Sequence, residues 1–294
     1  MAIFEGAGVA IVTPFLENGD VNFGKLEEYI DFQIANHTDA IIICGTTGEA
    51  STMTDDEHLE CIKIAVDRTA GRIPVIAGTG SNDTRHGINL TKRAKELGVD
   101  ATLQVTPYYN KTTQKGLIQH FTEIGRKVDL PMILYSVPSR TGITIMPETM
   151  AELAKYDFVQ GIKDATGNLS IVAEIAALCG EDFPIYSGND DQILPVLSLG
   201  GKGVISVLSN VAPKQTHDMV RLYLDGYRKE ALRLQLDFLP LIKALFSEVN
   251  PIPVKAALNL MGMEAGPCRL PLTTLEKEHQ IQLKQALIDA KILA

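Results

Sequence analysis

The feature that most restricts the fold of this chain is a regular alternation of short apolar runs with longer amphipathic stretches. Eight runs rich in Val, Ile and other apolar residues occur near residues 8–15, 40–45, 74–80, 101–107, 131–138, 159–165, 184–188 and 203–209. The segments between them, such as DEHLECIKIAVDRTA, repeat their apolar residues with the period of a helix. Strands that are buried on both faces and joined by helices form parallel sheets with right-handed crossovers.

Eight such units predict an α/β fold, a (β/α)8 TIM barrel, over residues 1–225. The alternative is an open doubly wound sheet, which usually carries a glycine-rich phosphate loop after its first strand. The segment TPFLENGD that follows the first strand here is no such loop. Residues 226–294 contain further helical patterns, and we expect them to form a C-terminal helical region that packs on the barrel or on another subunit.

Charge and cysteine content limit the partners and the compartment. The formal net charge of −9 argues against nucleic acid and against an anionic membrane surface as partners. The apolar N-terminus has no basic lead-in and is interrupted by Glu5, and no apolar run approaches the ~18 residues of a membrane span. Four widely spaced cysteines without a CxxC pair predict reduced thiols and a cytoplasmic protein.

The chemistry of a (β/α)8 barrel lies at the carboxyl ends of its strands, and here those ends carry hydroxyl groups, glycines and one lysine. The six histidines show no HxH or HExxH spacing, so we expect no metal site. The segments GGKG and GTGSNDT match a phosphate loop and a dinucleotide motif only in part. The sequence therefore predicts an enzyme that works without a cofactor.

The lysine is Lys163, in the otherwise apolar run around GIKDATG. Side chains alternate across a strand, so Lys163 shares its face with Gly161 and Ala165, which leave room for a long side chain inside the barrel. Desolvation there would lower its pKa and give a neutral amine, which attacks carbonyl carbon to form a Schiff base. The alternative is a structural lysine in a buried ion pair, for which Asp164 on the opposite face is a poor partner.

Two other strand ends carry hydroxyl groups that suit this chemistry. Tyr135 ends the strand next to the lysine strand, and a phenol there could move protons during imine and carbon–carbon bond formation. Thr46 and Thr47 lie between glycines, where hydroxyl and backbone N–H groups could hold a small carboxylate. Each has a plain alternative, since Tyr135 could be a packing residue and the two threonines could belong to an ordinary turn.

Taken together, six motifs resemble the dihydrodipicolinate synthases of the N-acetylneuraminate lyase superfamily. They follow one another in order along essentially the whole chain, as GTTGE (45–49), TPYYN (106–110), YSVPSRTG (135–142), GIKDATGN (161–168), GGKGVISV (200–207) and NPIPVK (250–255). The resemblance implies a Schiff-base lyase that condenses pyruvate with L-aspartate 4-semialdehyde to 4-hydroxy-tetrahydrodipicolinate, the first committed step towards diaminopimelate and lysine.

The resemblance also implies roles for individual residues. Lys163 would form the imine with pyruvate, and Tyr135 would donate and accept protons. Thr46 and Tyr109 would complete a hydroxyl relay, with Tyr109 reaching in from a neighbouring subunit of a homotetramer built as a dimer of dimers. The residues expected to bind the substrates are Thr47, Ile205 and Gly188 for pyruvate and Arg140 for the carboxylate of the semialdehyde.

A lysine-binding allosteric cleft is implied less completely. Ser51, His58, Asn82 and Tyr108 fit the positions that line this cleft in the lysine-sensitive enteric members. The same members carry a histidine where this chain has Asp55 and a glutamate where it has His86. Because that glutamate could pair with the ammonium of lysine, we predict weak or absent feedback inhibition.

Two other functions remain open at this stage. A related pyruvate-dependent aldolase, acting on N-acetylneuraminate or on a 2-keto-3-deoxy sugar acid, would share Lys163 and Tyr135. Thr46, Thr47 and Arg140 favour the synthase over that relative. A barrel that binds pyruvate without turnover would require a broken relay, and every hydroxyl group of the relay is present.

Overall fold

The computed structural model describes residues 2–293, in which eight parallel strands close into a barrel in the order of the chain. The strands are β1 (Gly6–Ala10), β2 (Ala40–Ile43), β3 (Val75–Gly78), β4 (Ala101–Val105), β5 (Met132–Ser136), β6 (Val159–Asp164), β7 (Ile185–Ser187) and β8 (Gly203–Ser206). The barrel closes where β1 pairs with β8, with Gly6 opposite Gly203. The predicted TIM-barrel fold is therefore confirmed.

Helices cover the outside of the barrel and extend past its last strand. Those up to the end of the eighth unit are α1 (Phe23–Ala35), α2 (Asp55–Thr69), α3 (Thr84–Glu96), α4 (Gln114–Val128), α5 (Pro138–Thr141), α6 (Pro147–Leu153), α7 (Leu169–Cys179), α8 (Ile193–Ser198) and α9 (Pro213–Leu224). Three more follow: α10 (Arg228–Leu245), α11 (Ile252–Leu260) and α12 (Lys277–Asp289). None of the helices within residues 2–293 is both long and apolar enough to cross a membrane.

Polar residues in the loops that follow the strands begin several of these helices. Thr54 caps α2, where its side chain accepts from the Glu57 N–H while the Glu57 carboxylate accepts from the Thr54 N–H. Asp83 caps α3 and Asn168 caps α7 through the same kind of side-chain bond. Such caps satisfy backbone donors that the helix leaves free, so each loop leads into its helix in a defined direction.

The buried apolar residues divide according to the face of the strand that carries them. Outward-facing residues such as Ile41, Leu134 and Ile162 pack with the helices in two large clusters. Inward-facing residues form a third cluster inside the barrel, with members Phe4, Ala10, Ala40, Ile42, Ile76, Ala101, Leu103, Ile133, Tyr135, Val137, Tyr186 and Ile205. The barrel is therefore filled by side chains, and the candidate site lies above this filling.

Candidate active site

Strand β6 carries Lys163 on the inner face of the barrel. The residue pairs with Tyr135 of β5 in the sheet register, and its Nζ lies 4.3 Å from the centroid of the Tyr135 ring. Burial lowers the pKa of Lys163 to about 7, while the charge of Asp190 opposes this change and that of Arg140 adds to it. Near neutral pH a large share of the Lys163 amine is therefore uncharged, and it retains 6% exposure.

Two glycines shape the strand ends around Lys163. Gly161 has φ +147°, and a Cβ there would meet the Pro184 carbonyl oxygen at 2.7 Å. A Cβ on Gly188, directly after β7, would lie 2.7 Å from the Ala165 Cβ and 2.9 Å from the Asp164 carbonyl oxygen. Only glycine fits at either position, so the strands on either side of this space approach closely.

Tyr135, one residue before the end of β5, has its ring inside the barrel and is 7% exposed. Burial raises the pKa of the Tyr135 hydroxyl, whereas the charge of Arg140 and the Thr46 side chain lower it in part. The phenol is therefore protonated at neutral pH, next to an amine that is partly uncharged. This pair can transfer a proton between the phenol and a group bound to the amine.

The loop after β2 brings Thr46 and Thr47 to the same end of the barrel. Thr47 is buried, and its Oγ1 accepts a hydrogen bond of 2.9 Å from Asn250 Nδ2. Arg140, in the short helix α5, donates from Nη2 to the Asn250 carbonyl oxygen at 3.0 Å. Thr46 is half-buried and Arg140 is exposed, so both are accessible from the open end.

A cavity of about 440 Å³ opens among these residues. Thr46, Tyr135, Arg140 and Asn250 line it, whereas Lys163, whose amine lies over the Tyr135 ring, is not among the lining residues. Ile205 of β8, which is fully buried, belongs to the cluster inside the barrel and does not line this cavity. Thr47 and Gly188 are also outside its lining. The volume is in the range of small-molecule sites, and polar groups converge on it from several strands.

Tyr109 lies outside this cavity. Its side chain is 96% exposed, and its backbone has φ +65°, a conformation that residues other than glycine adopt rarely. The neighbouring Tyr108 lines the cavity, and its carbonyl oxygen accepts from Asn82 Nδ2 at 3.1 Å. A single chain therefore does not bring Tyr109 to Lys163.

Three of the four residues of the expected allosteric cleft line the same cavity, namely Ser51, His58 and Tyr108. Asn82 instead lines a second, polar cavity of about 610 Å³ next to α4. Burial lowers the pKa of His58, whose Nε2 lies 2.8 Å from the Gly78 oxygen.

The two positions at which this chain departs from the lysine-sensitive pattern contact each other. His86 Nε2 lies 3.0 Å from Asp55 Oδ1, and both residues also line the first cavity. This part of the cavity thus holds one imidazole and one carboxylate in contact with each other.

Sequence reasoning assigned no role to three features that border the site. Asn250 belongs to the NPIPVK motif, but nothing in a one-dimensional pattern shows that it contacts Thr47 and Arg140. Asp190 follows β7, is buried, and accepts from the Val207 and Leu208 N–H groups. Lys255 and Glu49 form a fully buried ion pair of 3.0 Å. The polar residues in the segments NPIPVK and SGNDDQ were the available signals.

Within residues 2–293, no group of three or more histidine, cysteine, aspartate or glutamate side chains could hold a metal ion.

The fold and the site define a class of protein, a (β/α)8 barrel with a buried, partly uncharged lysine beside a protonated phenol. The particular family follows from comparison with known proteins. The model of the "Dihydrodipicolinate synthetase family" matches residues 3–290, and the chain belongs to that family.

Individual relatives are similar over nearly the whole chain. A 4-hydroxy-tetrahydrodipicolinate synthase of Lachnoclostridium phytofermentans is 62% identical over 280 residues, covering 95% of each chain. The crystal structure of a dihydrodipicolinate synthase from Cyanidioschyzon merolae with lysine bound has a TM-score of 0.97 at 43% identity and covers 100% of both chains. A chloride-inhibited dihydrodipicolinate synthase of Acinetobacter baumannii complexed with pyruvate has a TM-score of 0.96 at 44% identity, covering 98% of this chain and 99% of that one.

Proposed function

We propose that this protein is a lyase that condenses pyruvate with L-aspartate 4-semialdehyde to 4-hydroxy-tetrahydrodipicolinate, in the route to diaminopimelate and lysine. The observation that carries the proposal is the buried Lys163 amine, with a pKa of about 7, beside the Tyr135 ring. Family membership and relatives of about 60% identity with this activity in their names support it. Pyruvate in the A. baumannii relative supports the first substrate.

The reaction begins at the uncharged amine of Lys163. Its nitrogen attacks C2 of pyruvate, and loss of the carbonyl oxygen as water leaves an imine. Removal of a methyl proton gives an enamine, whose carbon attacks the aldehyde carbon of the semialdehyde, and the former aldehyde oxygen takes a proton. The amino group of the semialdehyde then attacks the imine carbon and displaces Lys163, which closes the ring and releases the amine.

Proton transfer in these steps falls to the hydroxyl groups. Tyr135 is the donor and acceptor next to the imine, and Thr46 connects it to Tyr109. The exposed position of Tyr109 in a single chain supports a role across a subunit interface. We therefore propose a homotetramer, a dimer of dimers, in which one subunit supplies Tyr109 to the site of its partner.

The carboxylates of the two substrates require separate binding groups. Thr47, with Ile205 and Gly188 close to the carboxyl ends of their strands, binds pyruvate. Arg140 at the open end of the cavity binds the carboxylate of the semialdehyde, because a guanidinium presents paired donors to a planar anion. Four free cysteines support a cytoplasmic location, where thiols stay reduced.

Ser51, His58, Asn82 and Tyr108 form the proposed allosteric cleft. The side chain of Asn82 contributes through its bond to the Tyr108 carbonyl oxygen. Asp55 is engaged by His86, which leaves less free carboxylate charge to pair with the ammonium of lysine. We therefore propose that feedback inhibition by lysine is weak.

Reductive trapping tests the proposal. The protein is incubated with pyruvate and sodium borohydride, digested, and analysed by mass spectrometry for a reduced adduct on the peptide that contains Lys163. Lys163→Arg keeps a cation but cannot form the imine, so it should give no adduct. Loss of pyruvate on addition of aspartate semialdehyde then establishes turnover.

The other outcomes identify the alternatives. An adduct without turnover would indicate a binding protein, and turnover only with sugar acids would indicate an aldolase. An adduct on another lysine, or none on the wild-type protein, would contradict the proposed mechanism.

A further inference from the structure

Asn250 contacts two residues of the site at once. It is buried at 7% exposure and directly precedes the segment that leads into α11. Its side-chain Nδ2 donates to Thr47 Oγ1 at 2.9 Å, and its backbone oxygen accepts from Arg140 Nη2 at 3.0 Å. Thr47 and Arg140 are the residues that bind the two substrate carboxylates in the proposed function.

The bond to Thr47 decides what the threonine hydroxyl can do. A hydroxyl group has one proton and two acceptor lone pairs. Because the Asn250 amide occupies the oxygen as a donor, Thr47 must direct its own proton elsewhere. A hydroxyl held in this way is left as a hydrogen-bond donor, which is the polarity that a carboxylate ligand requires.

The backbone contact restricts Arg140 differently. A guanidinium has five N–H donors in a fixed fork, and the Asn250 oxygen engages one of its nitrogens. The remaining donors stay available to a ligand at the open end of the cavity. Both carboxylate-binding side chains thus contact Asn250, a residue that lies outside the barrel strands.

Neighbouring contacts hold Asn250 in place. Five residues further on, Lys255 forms its ion pair with Glu49 at 3.0 Å, with side chains 2% and 1% exposed. The Arg269 N–H also donates to Glu49, at 2.9 Å. Arg269 Nη1 donates to the Thr52 oxygen at 2.8 Å as well, so four hydrogen bonds join the segment from 250 to 269 to the loop after β2. Such attachment limits the motion of Asn250 relative to Thr47.

We propose that Asn250 is a positioning residue that makes Thr47 a hydrogen-bond donor to the pyruvate carboxylate and sets its spacing from Arg140. This inference rests on the proposed function. It assigns a specific task to the C-terminal segment, beyond packing.

The test substitutes Asn250→Asp, which keeps the size of the side chain and replaces the donor by a carboxylate. The new carboxylate would accept a hydrogen bond from the Thr47 hydroxyl, which then no longer donates to pyruvate, and it adds negative charge. The KM for pyruvate should therefore rise on the order of tenfold or more. The KM for the semialdehyde should change less, because the backbone oxygen that contacts Arg140 remains. In a Thr47→Val background the part of this rise that acts through the Thr47 hydroxyl should disappear, and only the part due to the added negative charge should remain.

Asn259→Asp is the matched control, since Asn259 lies on α11 of the same segment and, within residues 2–293, its side chain bonds only to Gly266. It should change thermal stability without changing the ratio of the two KM values. If Asn250→Asp does not fold, Asn250→Ser carries the same test, with a smaller rise in pyruvate KM that also disappears in the Thr47→Val background.

Three results would overturn the inference while leaving the proposed function intact. The first is a pyruvate KM that stays at the wild-type value in the Asn250 variants. The second is an effect of the Asn250 substitution that adds fully to the effect of Thr47→Val. The third is an equal rise in the KM values for pyruvate and for the semialdehyde. A wild-type protein that forms no pyruvate adduct would overturn the proposed function and this inference together.

Discussion

Replacing Lys163 by methionine should make the folded protein more stable. Methionine is also long and unbranched, but it brings no charge into the barrel. Lys163 is buried, and within residues 2–293 no carboxylate forms an ion pair with its Nζ, so the charge of Asp190 acts only from a distance. The Lys163 amine is charged in the unfolded chain, so on folding it must either lose a proton or remain charged without a counter-ion.

The size of the effect follows from the pKa of Lys163, which burial lowers from 10.5 to about 7. Linkage converts this difference into about 4 kcal/mol of lost stability at pH 7, at about 1.4 kcal/mol for each pH unit. Between pH 7 and 10.5 the unfolded state binds more protons than the folded state, so the stability of the wild type rises with pH. Near pH 9.5 about 1.4 kcal/mol of the loss remains.

Lys255→Met provides the contrast. Lys255 is also fully buried, but its ammonium pairs with Glu49 and lies 4.1 Å from the centroid of the Phe15 ring. Its removal leaves the Glu49 carboxylate buried without its cation, which should cost about 3–5 kcal/mol. The same substitution thus has opposite effects at the two buried lysines.

Urea unfolding of the wild type and both variants measures these effects. The protein concentration must be the same throughout, because the stability of an oligomer depends on it. Lys163→Met should be the most stable at pH 7, and its advantage should shrink by pH 9.5. A less stable Lys163→Met, or an advantage that does not depend on pH, would refute the inference that this amine is desolvated and unpaired.

Two further predictions concern the residues outside the barrel interior. Tyr109→Phe removes one hydroxyl group from a side chain that is 96% exposed in a single chain, so turnover should fall on the order of tenfold or more while the melting temperature stays unchanged. Turnover at the wild-type rate would remove Tyr109 from the relay. Lysine titrated into initial-rate assays should not reach half-inhibition well below millimolar concentrations, and Asp55→His/His86→Glu should increase sensitivity. Strong inhibition of the wild type by micromolar lysine would contradict the proposed weak feedback.

The number and order of the strands could be predicted because each βα unit carries a local periodic signal. The ends of the strands were less predictable, and the first strand shows why. We predicted it over 8–15, whereas β1 covers Gly6–Ala10. Beyond Ala10 the chain stays buried, but the Val12 N–H donates to the side chain of Asn210 at 3.0 Å, so the regular ladder ends early.

The inward orientation of Lys163 was predicted by alternation, although alternation does not hold along the whole of β6. Val159 and Lys163 are four residues apart and should share a face, yet Val159 packs outside with Ile162. A β-bulge explains this, because Met132 pairs with Val159 while Leu134 pairs with Ile162. Gly161 lies within the bulge and has a positive φ of +147°, which glycine adopts more readily than other residues. A glycine in the middle of this strand was the signal of the bulge in the sequence.

The contribution of the C-terminal segment could not be predicted from local patterns. We expected residues after 226 to pack on the barrel, and no role was assigned to their polar residues. Asn250 and Thr47 are 203 positions apart, and Lys255 and Glu49 are 206 apart. Contacts over such distances leave no periodicity, so they are visible only once the barrel brings the segments together.

The choice of Tyr135 as the proton-transfer residue gains support from a second tyrosine. In the sheet, Lys163 is paired with Tyr135 on one side and with Tyr186 on the other. The Tyr186 hydroxyl donates to the Phe4 oxygen at 2.7 Å, and its ring stacks on Phe4 with centroids 4.4 Å apart. Tyr186 is therefore fully buried inside the barrel, and a backbone oxygen accepts its proton.

Tyr135 differs in the surroundings of its hydroxyl group. Within residues 2–293 the Tyr135 hydroxyl makes no such bond to backbone, and its side chain lines the cavity together with Thr46 and Arg140. A phenol can move protons only if its hydroxyl group can exchange partners during the reaction. Of the two tyrosines that flank Lys163, only Tyr135 meets this condition, because the Tyr186 proton is held by the Phe4 carbonyl oxygen.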